Sequence, residues 1–250
     1  MKITEKNGVL MYPWVTIGPV ILPTFFIVSA LIATLAFVWT MSRAEANKLD
    51  LRFVADLTLI LMLSGFVGAR LFHIFYENFD FYISNPLNIF FLWEGGFVFY
   101  GGFIASAICG VLFARYSGQS PTNYFDLYAP ILSLSYALGR IGCLLAGCCF
   151  GKACDFPWAI NARHPTQIYS TLWEFGVLFI LLGLEKKKIR KPGLIFATWM
   201  LLHSIGRFLV EFLRDDFRGP VAVLSISSWI SIGLFFGACV WLVRLRKQSL

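Results

Sequence analysis

The chain has 250 residues, of which 58% are hydrophobic, 17% aromatic and 14% charged, with a mean hydropathy of +0.72. A soluble domain is nearer a quarter charged, which excludes that class, and the apolar runs are continuous rather than alternating, which excludes a transmembrane barrel. The net charge of +7 sits mostly in short loops, where it sets orientation, and does not indicate nucleic-acid binding.

The stretch up to Pro19 is mixed in character, with no evident cleavable signal peptide. Seven apolar runs follow: Gly18–Met41, Phe53–Tyr76, Gly95–Tyr116, Phe125–Ala146, Thr166–Leu184, Gly193–Leu213 and Val221–Val243. Each is close to the ~20 residues that cross a bilayer as a helix. The expected fold is an all-α integral membrane protein, one polytopic domain over residues 1–250 built as a bundle of about seven helices. No internal repeat, low-complexity tract or soluble domain interrupts it.

Lys and Arg set the orientation. With the N-terminus outside, the inner loops hold twelve of them, including Arg43, Arg115, Lys191 and Arg244, and the outer segments hold six, including Lys152, Arg163 and Arg214. Positive charge stays on the cytoplasmic side, so the expectation is N-terminus out and C-terminus in.

Three arginines lie inside the apolar runs: Arg70, Arg140 and Arg207. A charge in a span costs a few kcal/mol or more and usually faces a partner or a wet cavity. By the expected topology all three lie toward the outer side, which suggests a site for a lipid phosphate. His203, Arg207 and Glu211 are spaced i, i+4, i+8 and share a helical face, so Glu211 can orient Arg207. A plain helix-stabilising pair is the other reading. Arg70 equally suits a structural role, snorkelling or holding a neighbouring helix. His73 and Glu77 repeat the i, i+4 step.

Glycine pairs stand at Gly95-Gly96 and Gly101-Gly102, with Gly68, Gly139 and Gly142 nearby. Small residues let helices approach closely, or leave N–H groups open to an anion. Tyr100 beside the second pair is either an interfacial anchor or a hydroxyl donor to a phosphate. Four of the six cysteines, Cys143, Cys148, Cys149 and Cys154, crowd the end of the fourth span. Their spacing is not that of a common zinc site. A disulfide, small buried thiols and an active-site thiol are the open readings, and no metal is expected. The segment from Arg163 to Tyr169 opens the fifth span through Pro165 and Thr166, which sets Arg163, His164, Gln167 and Tyr169 at the rim of the arginine cavity.

In this order the pieces resemble the prolipoprotein diacylglyceryl transferases of bacteria, over nearly the whole chain. The resemblance runs through Gly65-x-x-Gly68-Ala69-Arg70, Asn85-Pro86, the glycine block from Gly95, and Gly139-Arg140-Ile141-Gly142. It continues through Gly147-x-x-x-Gly151-Lys152, His164-Pro165-Thr166-Gln167-Ile168-Tyr169 and Gly206-Arg207-Phe208-x-x-Glu211-Phe212-x-Arg214. It implies transfer of a diacylglyceryl group from phosphatidylglycerol to the cysteine of a prolipoprotein signal peptide. A thioether forms, glycerol phosphate leaves, and no metal or organic cofactor takes part. It further implies a multi-pass enzyme of the bacterial cytoplasmic (inner) membrane, with its site toward the outer leaflet. The essential arginines of the family match Arg140 and Arg207, and its partner glutamate matches Glu211.

On these grounds the candidate catalytic residues are Arg140, Arg207, Glu211 and Tyr100. Arg140, Arg207, Arg70, Gly101, Gly102 and Gly142 are candidates for the lipid phosphate, with His164, Gln167, Tyr169 and Gly151 at the rim. The chain departs from the better-known members at Tyr100, where they have histidine, at Cys143, where they have asparagine, at Ala146-Gly147-Cys148, where they have Asn-Gly-Glu, and at Ser170, where they have glutamate. The base is therefore open among Glu211, His73, His203 and the departing phosphate. A related transferase with a different acceptor, and a lipid-binding or transport protein without chemistry, are the competing readings.

Overall fold

The computed structural model describes residues 12–18, 20–92, 95–186, 191–215 and 224–247. Trp93 and Glu94 of the glycine block, the expected seventh-span start at Val221, and the loop cations Lys2, Lys6, Lys187, Lys188, Arg190 and Arg218 lie outside them. Among the described residues seven helices are long and apolar enough to cross a membrane: α1 Thr24–Ala46, α2 Leu51–Phe72, α4 Phe99–Tyr116, α5 Thr122–Leu145, α6 Thr166–Glu185, α7 Leu194–Glu211 and α8 Ile226–Lys247. The protein is an all-α membrane protein, as the continuous apolar runs require.

The first expected span begins too early. Residues from Gly18 do not enter the helix, because a small antiparallel hairpin, β1 Trp14–Ile17 and β2 Val20–Pro23, precedes it. Val20 and Ile21 are β-branched and suit a strand, and Pro23 lacks the N–H that a helix interior needs. The Thr24 N–H instead donates to Pro13 O (3.0 Å), and its hydroxyl donates to Tyr12 O.

The third expected span also begins too early. Gly95 and Gly96 have φ of +86° and +77°, a left-handed conformation glycine adopts without cost. They turn the chain ahead of α4 rather than starting it. Between α2 and this turn the chain folds into a π-helical turn, His73–Glu77, the short helix α3, Phe79–Ser84, and a 3-10 turn, Pro86–Phe90.

Two compact units make up the chain, residues 1–36 with 125–250, and residues 37–124. In the second unit α2 packs on α4 through glycine. A Cβ on Gly68 would lie 2.7 Å from Gly101 O, and one on Gly102 would lie 2.7 Å from Gly65 O. Only small residues permit that approach. Asp50 caps α2, accepting from the N–H groups of Arg52 (2.9 Å) and Phe53 (3.4 Å), a contact worth about 1 kcal/mol.

In the first unit α7 packs against α6 and α8. Gly206 leaves room for the indole of Trp173, whose Nε1 donates to Leu202 O at 2.9 Å. Asp126 of α5 accepts from the N–H groups of Gly193 and Phe196, each at 2.9 Å. It thus places a carboxylate on the positive end of α7, where a helix dipole favours it. Leu181 and Ile195 are fully buried and Trp199 nearly so.

Candidate active site

Arg140 lies in the last two turns of α5. Its Nη2 donates to Tyr136 Oη at 2.8 Å, and its guanidinium carbon stands 5.0 Å from the centre of the Tyr136 ring. Among the described residues Tyr136 is its one hydrogen-bond partner. A guanidinium has five N–H donors in a planar fork, so most of that fork is open to an incoming acceptor.

The Tyr136 ring meets the His203 ring of α7 edge-on at 4.8 Å. Arg140 and Arg207 each stand one helical turn beyond this contact, on two helices that run in the same direction when every span crosses the bilayer. His203 is buried, stacks on Trp199 at 5.1 Å, and its Nδ1 is hydrogen-bonded to Glu174 Oε1 at 2.6 Å. Ser133 Oγ lies 2.9 Å from the other Glu174 oxygen and 2.8 Å from its carbonyl. Among the described residues nothing takes His203 Nε2. A histidine oriented by a carboxylate through one nitrogen, with the other free, is arranged to accept a proton.

Arg207 pairs with Glu211 at 2.5 Å, both side chains 9% exposed. Glu211 also accepts from Ser225 Oγ, and Ser225 accepts from Ser228 N at 3.2 Å at the start of α8. Glu211 is thus held from two sides, which fixes Arg207 in turn. The expected i, i+4 pairing is present, but the third member of that face, His203, turns to Glu174 instead. Glu174 went unremarked in the sequence, although a carboxylate inside a span is a signal of the same kind as a buried arginine.

The segment from residue 146 to 165 is strapped to the end of α7. Gly151 forms an isolated bridge with Arg214, and a Cβ on it would lie 2.4 Å from Leu213 O. Arg163 pairs with Asp215 at 2.9 Å. Tyr169 Oη accepts from Trp158 Nε1 at 2.9 Å and lies 3.3 Å from His164 Nδ1. Phe156 stacks flat on Trp158, and both are exposed, as suits an aromatic anchor at a membrane surface.

Gln167 corrects the rim expectation. It is 1% exposed, and its Nε2 donates to Cys148 O at 2.5 Å. Thr166, equally buried, donates to Cys149 O at 2.6 Å. The hydrogen bonds to a neighbouring loop draw the first turn of α6 inward.

Three cysteines come together there. The sulfurs of Cys143, Cys148 and Cys149 all lie within 4.8 Å of one another. Hydrogen bonding with Cys143 and Cys148 holds the Cys149 thiol well below the usual thiol range, helped by the charges of Arg214 and Arg140. The Cys148 thiol is pushed up by its hydrogen bonds with Cys143 and Cys149.

In the second unit Arg70 is 5% exposed, and all its donors are taken by backbone. Nε donates to Ile89 O (3.3 Å), Nη1 to Gly95 O and to Gly96 O (3.3 Å), and Nη2 to Asn88 O (2.8 Å) and Phe91 O (3.4 Å). The rings of Tyr82 and Phe97 flank it at 5.3 and 5.7 Å. This is the structural role open to Arg70 from the start: it gathers the 88–96 segment, and no donor is left for a phosphate.

Gly101 and Gly102 likewise serve the α2–α4 contact, and Gly102 N donates to Val98 O at 3.3 Å. Gly142 packs on Val28 of α1, a Cβ there lying 3.0 Å from Val28 Cγ1. Tyr100, half-buried, meets Phe99 edge-on at 5.6 Å. His73 has both nitrogens engaged, Nδ1 with Glu77 at 2.7 Å and Nε2 with Asn78 at 3.2 Å.

The family model for prolipoprotein diacylglyceryl transferase matches residues 14–244. A protein of Bordetella avium named phosphatidylglycerol–prolipoprotein diacylglyceryl transferase is 34% identical over 222 residues, covering 84% of each chain. Proteins of the same name from Methylobacillus flagellatus and Clostridium tetani are 35% and 34% identical, covering 84% and 78% of this chain and 80% and 82% of their own. The match takes in the hairpin, α1 to α7, most of α8 and the segments that carry Arg140, Arg207 and Glu211, and on this ground the chain belongs to the prolipoprotein diacylglyceryl transferase family.

Proposed function

We propose that this protein is an enzyme that moves the diacylglyceryl group of phosphatidylglycerol onto the cysteine thiol of a prolipoprotein signal peptide. The sulfur–carbon bond of a thioether forms as the carbon–oxygen bond to phosphate breaks. The bonding electrons leave with glycerol phosphate, and the thiol proton passes to a base. Every part is supplied by the chain and the two substrates.

Arg140 carries this reading. Its guanidinium is held at one edge by Tyr136 and has donors to spare, which suits bidentate capture of a phosphate diester. Arg207, fixed by Glu211, supplies a second cation against the charge that grows on the leaving oxygen. Of the three candidate bases, Glu211 is engaged by Arg207 and Ser225, and His73 by Glu77 and Asn78. His203, backed by Glu174, is the one with a nitrogen to offer, and we assign it the proton. Tyr100 is assigned a hydrogen bond from its hydroxyl to a substrate oxygen. The Lys/Arg bias supports an N-terminus outside, a C-terminus in the cytoplasm, and a site facing the outer leaflet of a bacterial inner membrane.

The test mixes purified protein with labelled phosphatidylglycerol and a peptide bearing the lipoprotein cysteine motif. Thioether product and glycerol phosphate in equal amounts are expected. Glycerol phosphate without thioether would point to a different acceptor, and neither product would leave a protein that binds lipid without chemistry.

A further inference from the structure

The transfer reaction makes no use of the three thiols at the end of α5. Each belongs to a differently constrained piece of backbone. Cys143 rides the last turn of the helix. Cys148 N donates to Cys143 O at 3.1 Å, closing the turn that follows. Cys149 has φ +65°, a conformation that L residues rarely adopt. Gln167 and Thr166, both nearly fully buried, hold the carbonyls of Cys148 and Cys149 from α6. The backbone that carries the sulfurs is therefore fixed from outside the cluster.

Those sulfurs lie within 4.8 Å of one another, and those of Cys148 and Cys149 are 3.5 Å apart. Three thiolates bound to one d10 ion at ~2.3 Å stand about 4 Å from each other. A disulfide requires ~2.05 Å. The observed spacing is that of an ion's ligands, reached with small side-chain rotations, and is far from that of a bond. Cys148 is exposed while Cys143 and Cys149 are half-buried, which gives an ion a way in and leaves one face for water. A donor set made only of sulfur selects soft ions over magnesium or calcium. Arg140, three residues before Cys143, and Arg214, bridged to Gly151, lie close enough to act on the cluster's charge and to offset that of a thiolate trio.

We propose that Cys143, Cys148 and Cys149 form a trigonal thiolate site for a single thiophilic d10 metal ion, of the Zn2+ or Cu(I) kind, which clamps the end of α5 to the 146–151 turn. Binding releases the remaining thiol protons to solvent. The site does not depend on the transfer reading, because its test reads the metal directly.

The probe is Cd2+, titrated into the full chain in detergent with the thiols kept reduced by a phosphine. A thiolate-to-cadmium charge-transfer band should rise and saturate at a single ion per chain. Zn2+ or Cu(I) should erase it, and whichever competes better identifies the preferred ion. Cys148→Ser and Cys149→Ser should each weaken Cd2+ binding on the order of tenfold or more, while Cys154→Ser, outside the trio, should not. Cd2+ should raise the unfolding temperature of the wild type and leave that of Cys148→Ser unmoved. If Cys149→Ser proves misfolded by circular dichroism, the exposed Cys148 decides the matter. Reduced wild-type protein without a saturable band, or Cys148→Ser binding as tightly as wild type, would overturn the proposal.

Discussion

Arg70 and Arg140 are the same residue type in the same kind of setting, and the protein treats them differently. The Arg70 fork is consumed by five backbone carbonyls of the 88–96 segment. Arg140 spends one donor on Tyr136 and keeps the rest. A buried cation is costly unless its donors are met. Arg70 has met that cost within the fold, so its removal is a matter of stability. Among the described residues Arg140 has not, and in the function proposed above a phosphate brings the missing acceptor. The number of acceptors around an intramembrane arginine, more than its burial, separates a staple from a site.

The comparison breaks first at the two arginines themselves. Arg140→Ala should cut transfer by on the order of a hundredfold to a thousandfold with the unfolding temperature nearly unchanged. Arg140→Lys should recover little, since an ammonium cannot reproduce the planar fork. Arg70→Met should do the reverse. It strands buried carbonyls and should cost on the order of 3 kcal/mol of stability, while the molecules that remain folded turn over at near the wild-type rate. A thermal shift paired with an activity assay on each variant reads both. The contrast fails if Arg70→Met abolishes turnover in folded protein.

The next effect concerns Arg207 and Glu211. If the carboxylate acts by fixing the guanidinium, Glu211→Gln and Arg207→Ala should each lower kcat strongly. The double variant should then be little worse than either one. Losses that add in activation free energy would assign them separate roles.

His203→Gln should lower kcat by about a hundredfold with KM for phosphatidylglycerol little changed, as removal of a proton acceptor does. Glu174→Gln, acting only through the imidazole, should lower it less. A His203→Gln enzyme of normal kcat, assayed across pH, would return the proton to the departing phosphate.

The smallest effect is expected at Tyr100. Tyr100→Phe should lower turnover several-fold if the hydroxyl donates to substrate, about the worth of one hydrogen bond. A silent substitution would leave Tyr100 as an interfacial anchor. Tyr100→His, which keeps a donor, should retain activity.

How much of this was legible in the sequence follows the same division. Long apolar runs give the seven helices, because a bilayer demands length and apolarity and little else. The Arg207–Glu211 pair was legible, because i, i+4 spacing on one helix needs no tertiary knowledge. The hairpin ahead of α1 was not, because β-branched residues before Pro23 read as the start of an apolar span. The surroundings of Arg70 were hidden for a different reason: its acceptors are carbonyls, which every residue has. The Glu174–His203 contact joins residues 29 apart in sequence, and the cysteine trio matches no spacing template, because Gln167 and Thr166 of another helix hold its backbone in place.

The central claim is that the open fork of Arg140 holds the lipid phosphate. Its most direct test is equilibrium binding of phosphatidylglycerol and of diacylglycerol, which lacks the phosphate, to wild type and Arg140→Ala in detergent or nanodiscs. Wild type should prefer phosphatidylglycerol, and Arg140→Ala should lose on the order of tenfold or more of that preference while binding diacylglycerol as before. An undiminished preference for phosphatidylglycerol in folded Arg140→Ala would contradict the account.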